Sequence, residues 1–163
     1  MKRIACLLLF FCTLANAQEL SDLRKLYPQA SANASAAATF TEKVSAFDTA
    51  GNHVVAAYKA ASLTLKSKFS KKLQEKISFF KDGANMLDDA ISHDPNNVEM
   101  RMIRLSIQEN VPAIVNYKKN KEEDTHFIYS HFQELSGGLR EYIRNFILRS
   151  KSFSKQQKLA AKQ

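Results

Sequence analysis

Apolar positions recur along this chain at the three- and four-residue spacing of α-helices. The most regular run spans residues 70–93, where Leu73, Ile77, Phe80, Ala84, Leu87 and Ile91 follow one another at intervals of four and three. A helix turns once every 3.6 residues, so these side chains form one stripe. Lys72, Glu75, Lys76, Asp82 and Asp89 take the opposite face. The pattern predicts one long amphipathic helix, with Ser70 as its N-cap.

Shorter helices are expected on either side. "ELSDLRKLY" reads as a helix ended near Pro28, followed by a small polar loop, "QASANASAAATF", that leads into a second helix carrying Phe40, Val44 and Phe47. Gly51-Asn52 breaks that helix. In "HVVAAYKAASLTLKSKF", Val54, Tyr58, Ala61 and Leu65 make one stripe, and Ala56, Ala57 and Ala60 allow a neighbouring helix to approach closely. "NVEMRMIRLSIQEN" is apolar on two faces, Val98, Met102 and Leu105 on one and Met100, Ile103 and Ile107 on the other. That helix should pack between neighbours. "VPAIVNY" is apolar enough that this linker is expected against the core. A sixth helix over 121–135 should turn Phe127, Ile128, His131, Phe132 and Leu135 inward. After a turn at Gly137-Gly138, a seventh should bury Leu139, Ile143, Phe146 and Ile147.

These elements predict an all-α fold of antiparallel helical hairpins, about seven helices in all. Composition agrees, with only four glycines and three prolines in 163 residues and many good helix formers.

The N-terminus has its own pattern. Lys2 and Arg3 precede the uncharged run "IACLLLFFCTL" and then "ANA", the layout of a secretory signal peptide cleaved between Ala17 and Gln18. The run is shorter than the roughly 20 residues a bilayer needs, so no membrane span is expected after its removal. The chain then divides into a signal at 1–17, a helical domain at 18–150, and a basic tail or loosely docked helix at 151–163. Losing 17 of 163 residues leaves 146, enough for one domain. It also removes two of 24 lysines and arginines, so the formal charge falls from +8 to +6. Cys6 and Cys12 both leave with the signal. No disulfide, cysteine nucleophile or cysteine metal site is then expected. The basic excess favours anionic surfaces, while no basic-aromatic motif points to nucleic acid.

Candidate chemistry is sparse. Glu123 and His126 have the Glu-x-x-His spacing of di-iron bundles, beside Glu122, but the chain has no second copy. His126 and His131 are five apart and diverge around a helix. No metal or cofactor is expected. Without a Gly-x-Ser-x-Gly elbow or a phosphate-binding glycine loop, no catalytic residue is assigned and the protein is not expected to be an enzyme. Arg101 and Arg104, three residues apart, share a helix face and are candidates to clamp a carboxylate from a peptide or polymer. The alternative is internal pairing with Asp88, Asp89 or Asp94 across the turn. Tyr117, Lys118 and Lys119 form a second candidate contact patch, or else an ordinary solvated loop.

Around "MLDDAISHDPNNVEMR", Gly83, Leu87, Ala90 and Pro95 match in order the small, large, small and proline positions of a tetratricopeptide repeat, and "DPNN" runs directly into "VEMR". The resemblance to that family, whose unit is about 34 residues, covers Ser70 to Asn110. The preceding helix lacks the aromatic and glycine pattern of a first repeat helix, and no second "DPNN" follows Pro112. "YKAA", "FFKDG", "DPNNVEMRMIR" and "NKEEDTHFI" also resemble pieces of exported bacterial proteins of no established function, which implies an all-helical domain and no particular activity. The tetratricopeptide resemblance implies stacked hairpins that hold a protein or peptide without catalysis, here in the bacterial periplasm or outside the cell. The alternative expectation is a basic envelope protein held electrostatically on anionic lipid or polymer, an attachment that salt would weaken.

Overall fold

The computed structural model describes residues 20–163. The expected signal peptide, with Cys6 and Cys12, lies outside the described residues. Among the described residues there are eight α-helices and no strand. The first, α1, runs through residues 20–30. It is followed by α2 (Ala34–Ser45), α3 (His53–Phe69), α4 (Leu73–His93), α5 (Val98–Asn110), α6 (Lys121–His131), α7 (Gly137–Arg149) and α8 (Lys155–Ala160). The all-α hairpin architecture is therefore the one the periodicity predicts.

Asparagine side chains cap three of these helices. The side chains of Asn33, Asn52 and Asn97 accept hydrogen bonds from the backbone N–H groups of Ala36, Val55 and Met100, satisfying donors that a first turn leaves free. Gly137 opens α7 with φ +56, a conformation that suits glycine.

The central unit is the α3–α4 hairpin. Ser67 Oγ donates to the Lys76 carbonyl at 2.7 Å, Gly83 lies against Ala60, and the His53 and His93 rings stack at 4.9 Å at the far end. The two helices are thus antiparallel along their whole length. A Cβ on Gly83 would lie 2.7 Å from the Ala60 carbonyl oxygen, so the backbones meet where glycine leaves room.

Helix α5 turns back from α4 and is enclosed, with ten of its 13 residues buried. Its two apolar faces do meet neighbours on both sides. Glu109 draws in the segment after α7: the hydroxyls of Ser150 and Ser152 both donate to it. Farther on, a capping box of Ser154 and Gln157 starts α8, Phe153 and Ala161 are buried, and Arg144 Nε donates to the Ala161 carbonyl at 3.0 Å. No described helix is long and apolar enough to cross a membrane.

Helix α1 runs two residues past Pro28, to residue 30, where buried Ala30 packs its last turn into the core. Three local expectations are corrected. Ser70 is the C-cap of α3; its hydroxyl donates to Glu75 at 2.6 Å, and α4 begins after Lys72 with no side-chain cap. The α4 stripe is buried only at Ala84, Leu87 and Ile91. At its start Leu73 is 71% exposed and Ile77 59%. Finally, the linker does not lie flat on the core. Val111 still packs on the core, but Pro112 and the short 3-10 turn at Ala113–Val115 carry the chain outward, leaving Ile114 93% exposed, before Tyr117 returns to pack.

Candidate functional site

The sequence-predicted residues converge, but on one another's internal partners. Arg101 and Arg104 sit one turn apart on α5 and face α6, whose first turn holds Glu122, Glu123 and Asp124. Asp124 is fully buried. It accepts from Arg104 Nε and Nη2, each at 2.7 Å, and from Arg101 Nη1 at 3.1 Å. Arg101 also donates to Glu123 at 2.7 Å and to the Pro95 carbonyl at 2.7 Å, with its guanidinium 4.2 Å from the Phe127 ring centre.

The surroundings explain the ionisation. Burial works against the charge of Arg104, but hydrogen bonding and attraction from Asp124, with Asp88 adding to them, outweigh it and raise its pKa. Hydrogen bonds from Arg101 and then Asn120 hold the Glu123 carboxyl below its ordinary range. Such a planar two-point pairing satisfies a buried carboxylate well.

Tyr117 belongs to the same cluster. Its hydroxyl donates to Asp88 at 3.0 Å, and its ring meets Phe80 edge-on at 5.6 Å. Burial, reinforced by Asp88, pushes this phenol well above its ordinary value. Lys118 and Lys119, by contrast, are exposed. The expected clamp for a partner's carboxylate is therefore filled by Asp124, and Tyr117 is committed to α4. Of the internal partners considered, Asp88 does take part, 3.5 Å from Arg104.

A second buried cluster lies on the other side of α5. Arg24 of α1 grips Glu99 through two bonds of 2.8 and 2.5 Å. Tyr58 donates to the same carboxylate at 2.7 Å and lies 3.2 Å from the Tyr142 hydroxyl. Burial raises both phenols, and hydrogen bonding to Glu99 raises Arg24. Between these clusters and the C-terminal end of α5, the Gln108 amide is buried with no partner on either atom. Among the described residues, no group of three histidine, aspartate, glutamate or cysteine side chains is placed to hold a metal ion.

No family matches. Neither a curated protein nor a solved structure shows significant similarity to the chain, and no family model fits it. Its surface must therefore be read from its own residues.

Two features of that surface flank the start of α4. On the α2 side, Ala34, Ala37, Ala38, Phe69 and Phe79 line an open groove of about 510 Å³. Thr41 lines it too, and its buried hydroxyl has no hydrogen-bond partner. On the other side, Leu73, Ile77 and Phe80 continue the α4 stripe toward the linker. Residues 66–81 hold six lysines and a single glutamate, with no aspartate or arginine. Lys66, Lys68, Lys71, Lys72 and Lys81 are exposed. That count was visible in the sequence as a signal, but the buried role of Asp124 was not.

Proposed function

We propose that this chain is a non-catalytic binding module of the bacterial cell envelope, and that it attaches to anionic surfaces through the start of α4. The observation that carries this reading is the lysine run at residues 66–81, gathered around the turn of the longest hairpin. Near an anionic surface each lysine contributes about 1 kcal/mol, so five exposed ones make a serviceable electrostatic site. A non-catalytic role is supported by the two buried clusters, in which each carboxylate is bonded to arginine or tyrosine of the same chain. A tetratricopeptide-like arrangement is supported by the α3–α4 hairpin, with Gly83, Leu87 and Ala90 on its packed face and Pro95 in the following turn.

A second reading, a bound protein or peptide, has one specific support. The alanine-lined groove beside α2 contains the unpartnered Thr41 hydroxyl, to which a bound peptide group could donate or accept a hydrogen bond.

The test is co-sedimentation of the chain from Gln18 onward, which holds every described residue, with vesicles of anionic or zwitterionic lipid and with an acidic polymer. Attachment to the anionic targets is expected at low salt and should weaken as salt rises. Replacing Lys71 and Lys81 together with alanine should lower it about thirtyfold. Attachment that ignores both lipid charge and these lysines would overturn the proposal and leave the groove as the binding surface.

A further inference from the structure

We infer that the surface engaged is an anionic phospholipid bilayer, and that Leu73 and Ile77 enter its headgroup layer. This rests on the attachment reading above and goes further, because it gives the exposed apolar residues a role that charge alone does not.

The geometry begins with unequal helix lengths. α4 has 21 residues and antiparallel α5 only 13, so at 1.5 Å per residue α4 is about 12 Å longer. α5 starts where α4 ends, so the excess lies at the first turns of α4. Leu73 and Ile77 stand on that overhang, four residues apart and therefore on one side of the helix. Phe80 continues the same side and is met by Tyr117, which brings the linker bearing exposed Ile114 alongside. Lys71, Lys72 and Lys81 are exposed on the same stretch.

This combination selects among anionic partners. An acidic polymer matches the lysines but offers no apolar interior for a leucine and an isoleucine. A stable protein interface buries about 800 Å² on each partner, far more than two side chains provide. A bilayer needs no such area: apolar side chains enter the acyl boundary while lysine stems lie along it with their ammonium groups at the phosphates. Charge brings the protein to the surface, and the apolar pair gives the contact a component that salt does not screen.

The chain has no tryptophan, so a single Leu73→Trp substitution makes a clean reporter. With phosphatidylglycerol vesicles its emission should shift to the blue and be quenched by lipids brominated near the headgroup. Phosphatidylcholine vesicles should do neither. In a second arm, Leu73→Ser with Ile77→Ser should leave low-salt binding largely intact and cut the binding that survives about 1 M salt at least tenfold. Both positions are open to solvent, and an unchanged thermal midpoint will establish that the variant folds. Binding at low salt with no blue shift and no effect of the serines would overturn insertion while leaving charge-driven attachment standing. Absence of binding to anionic vesicles, with the acidic polymer still held, would overturn the bilayer. Failure on both targets would remove the attachment reading as well.

Discussion

Helix α5 and the first two turns of α4 reverse the usual distribution of residues. α5 hides Glu99, Arg101, Arg104 and Gln108, whereas α4 opens by presenting Leu73 and Ile77 to water. The difference lies in what arrives from elsewhere in the chain. Arg101 and Arg104 can be buried because α6 delivers Asp124 beside them, and Glu99 because α1 and α3 deliver Arg24 and Tyr58. Leu73 and Ile77 are exposed because α5 is too short to reach them. Burial is a property of the neighbourhood more than of the residue.

The comparison can be broken most severely with alkali. Four of the five tyrosines, Tyr27, Tyr58 and Tyr142 around α5 and Tyr117 against α4, have raised pKa values, Tyr27 reaching about 12 because burial outweighs its bond to Ser106. The unfolded chain releases such protons near pH 10, while the fold retains them to higher pH. Their contribution is therefore complete below about pH 10 and falls as pH rises above it, that of Tyr27 being gone by about pH 12 and those of the other three persisting higher. Phenolate absorbance from these four should appear together with loss of helical circular dichroism. Independent titration near pH 10 in an intact fold would contradict the packing.

Single substitutions sharpen the contrast. Asp124→Ala takes both 2.7 Å bonds from the buried Arg104 guanidinium, leaving it only Asp88 at 3.5 Å, and one bond from Arg101. It should cost about 3–5 kcal/mol in urea unfolding, and a loss below about 1 kcal/mol would mean the cluster is open to water. On α4 itself, Leu87→Ala should cost about 2–5 kcal/mol, since that side chain is fully enclosed. Gly83→Ala should destabilise by about 1–3 kcal/mol, although alanine is ordinarily the better helix former. A gain in stability there would refute the close backbone approach. Smallest of all, Leu73→Ala should change stability by no more than about 0.5 kcal/mol, though it belongs to the same apolar stripe as Leu87.

The helices, the doubly buried α5 and the interior half of α4 were legible because periodicity is local. The remainder depended on long-range placement. Arg101 and Arg104 were visible as a pair with a shared face, and Asp88 was near enough in sequence to be considered. Asp124 lies 20 residues or more from either arginine, and only the return path of α6 brings it in. Leu73 and Leu87 occupy equivalent positions of one pattern, which cannot state where a neighbouring helix stops. The run "VPAIVNY" misled for a related reason: apolar composition says nothing of a 3-10 turn that points Ile114 away from the core.

The contact at Gly83 also has a mechanical consequence. With backbone pressed on backbone there, α3 and α4 cannot slide past each other without first separating, so the hairpin acts as one stiff strut. Its second helix is 21 residues long, about 30 Å at 1.5 Å per residue. A load applied at Leu73 is accordingly delivered to the far turn, where the Pro95 carbonyl holds Arg101, rather than dissipated along the way.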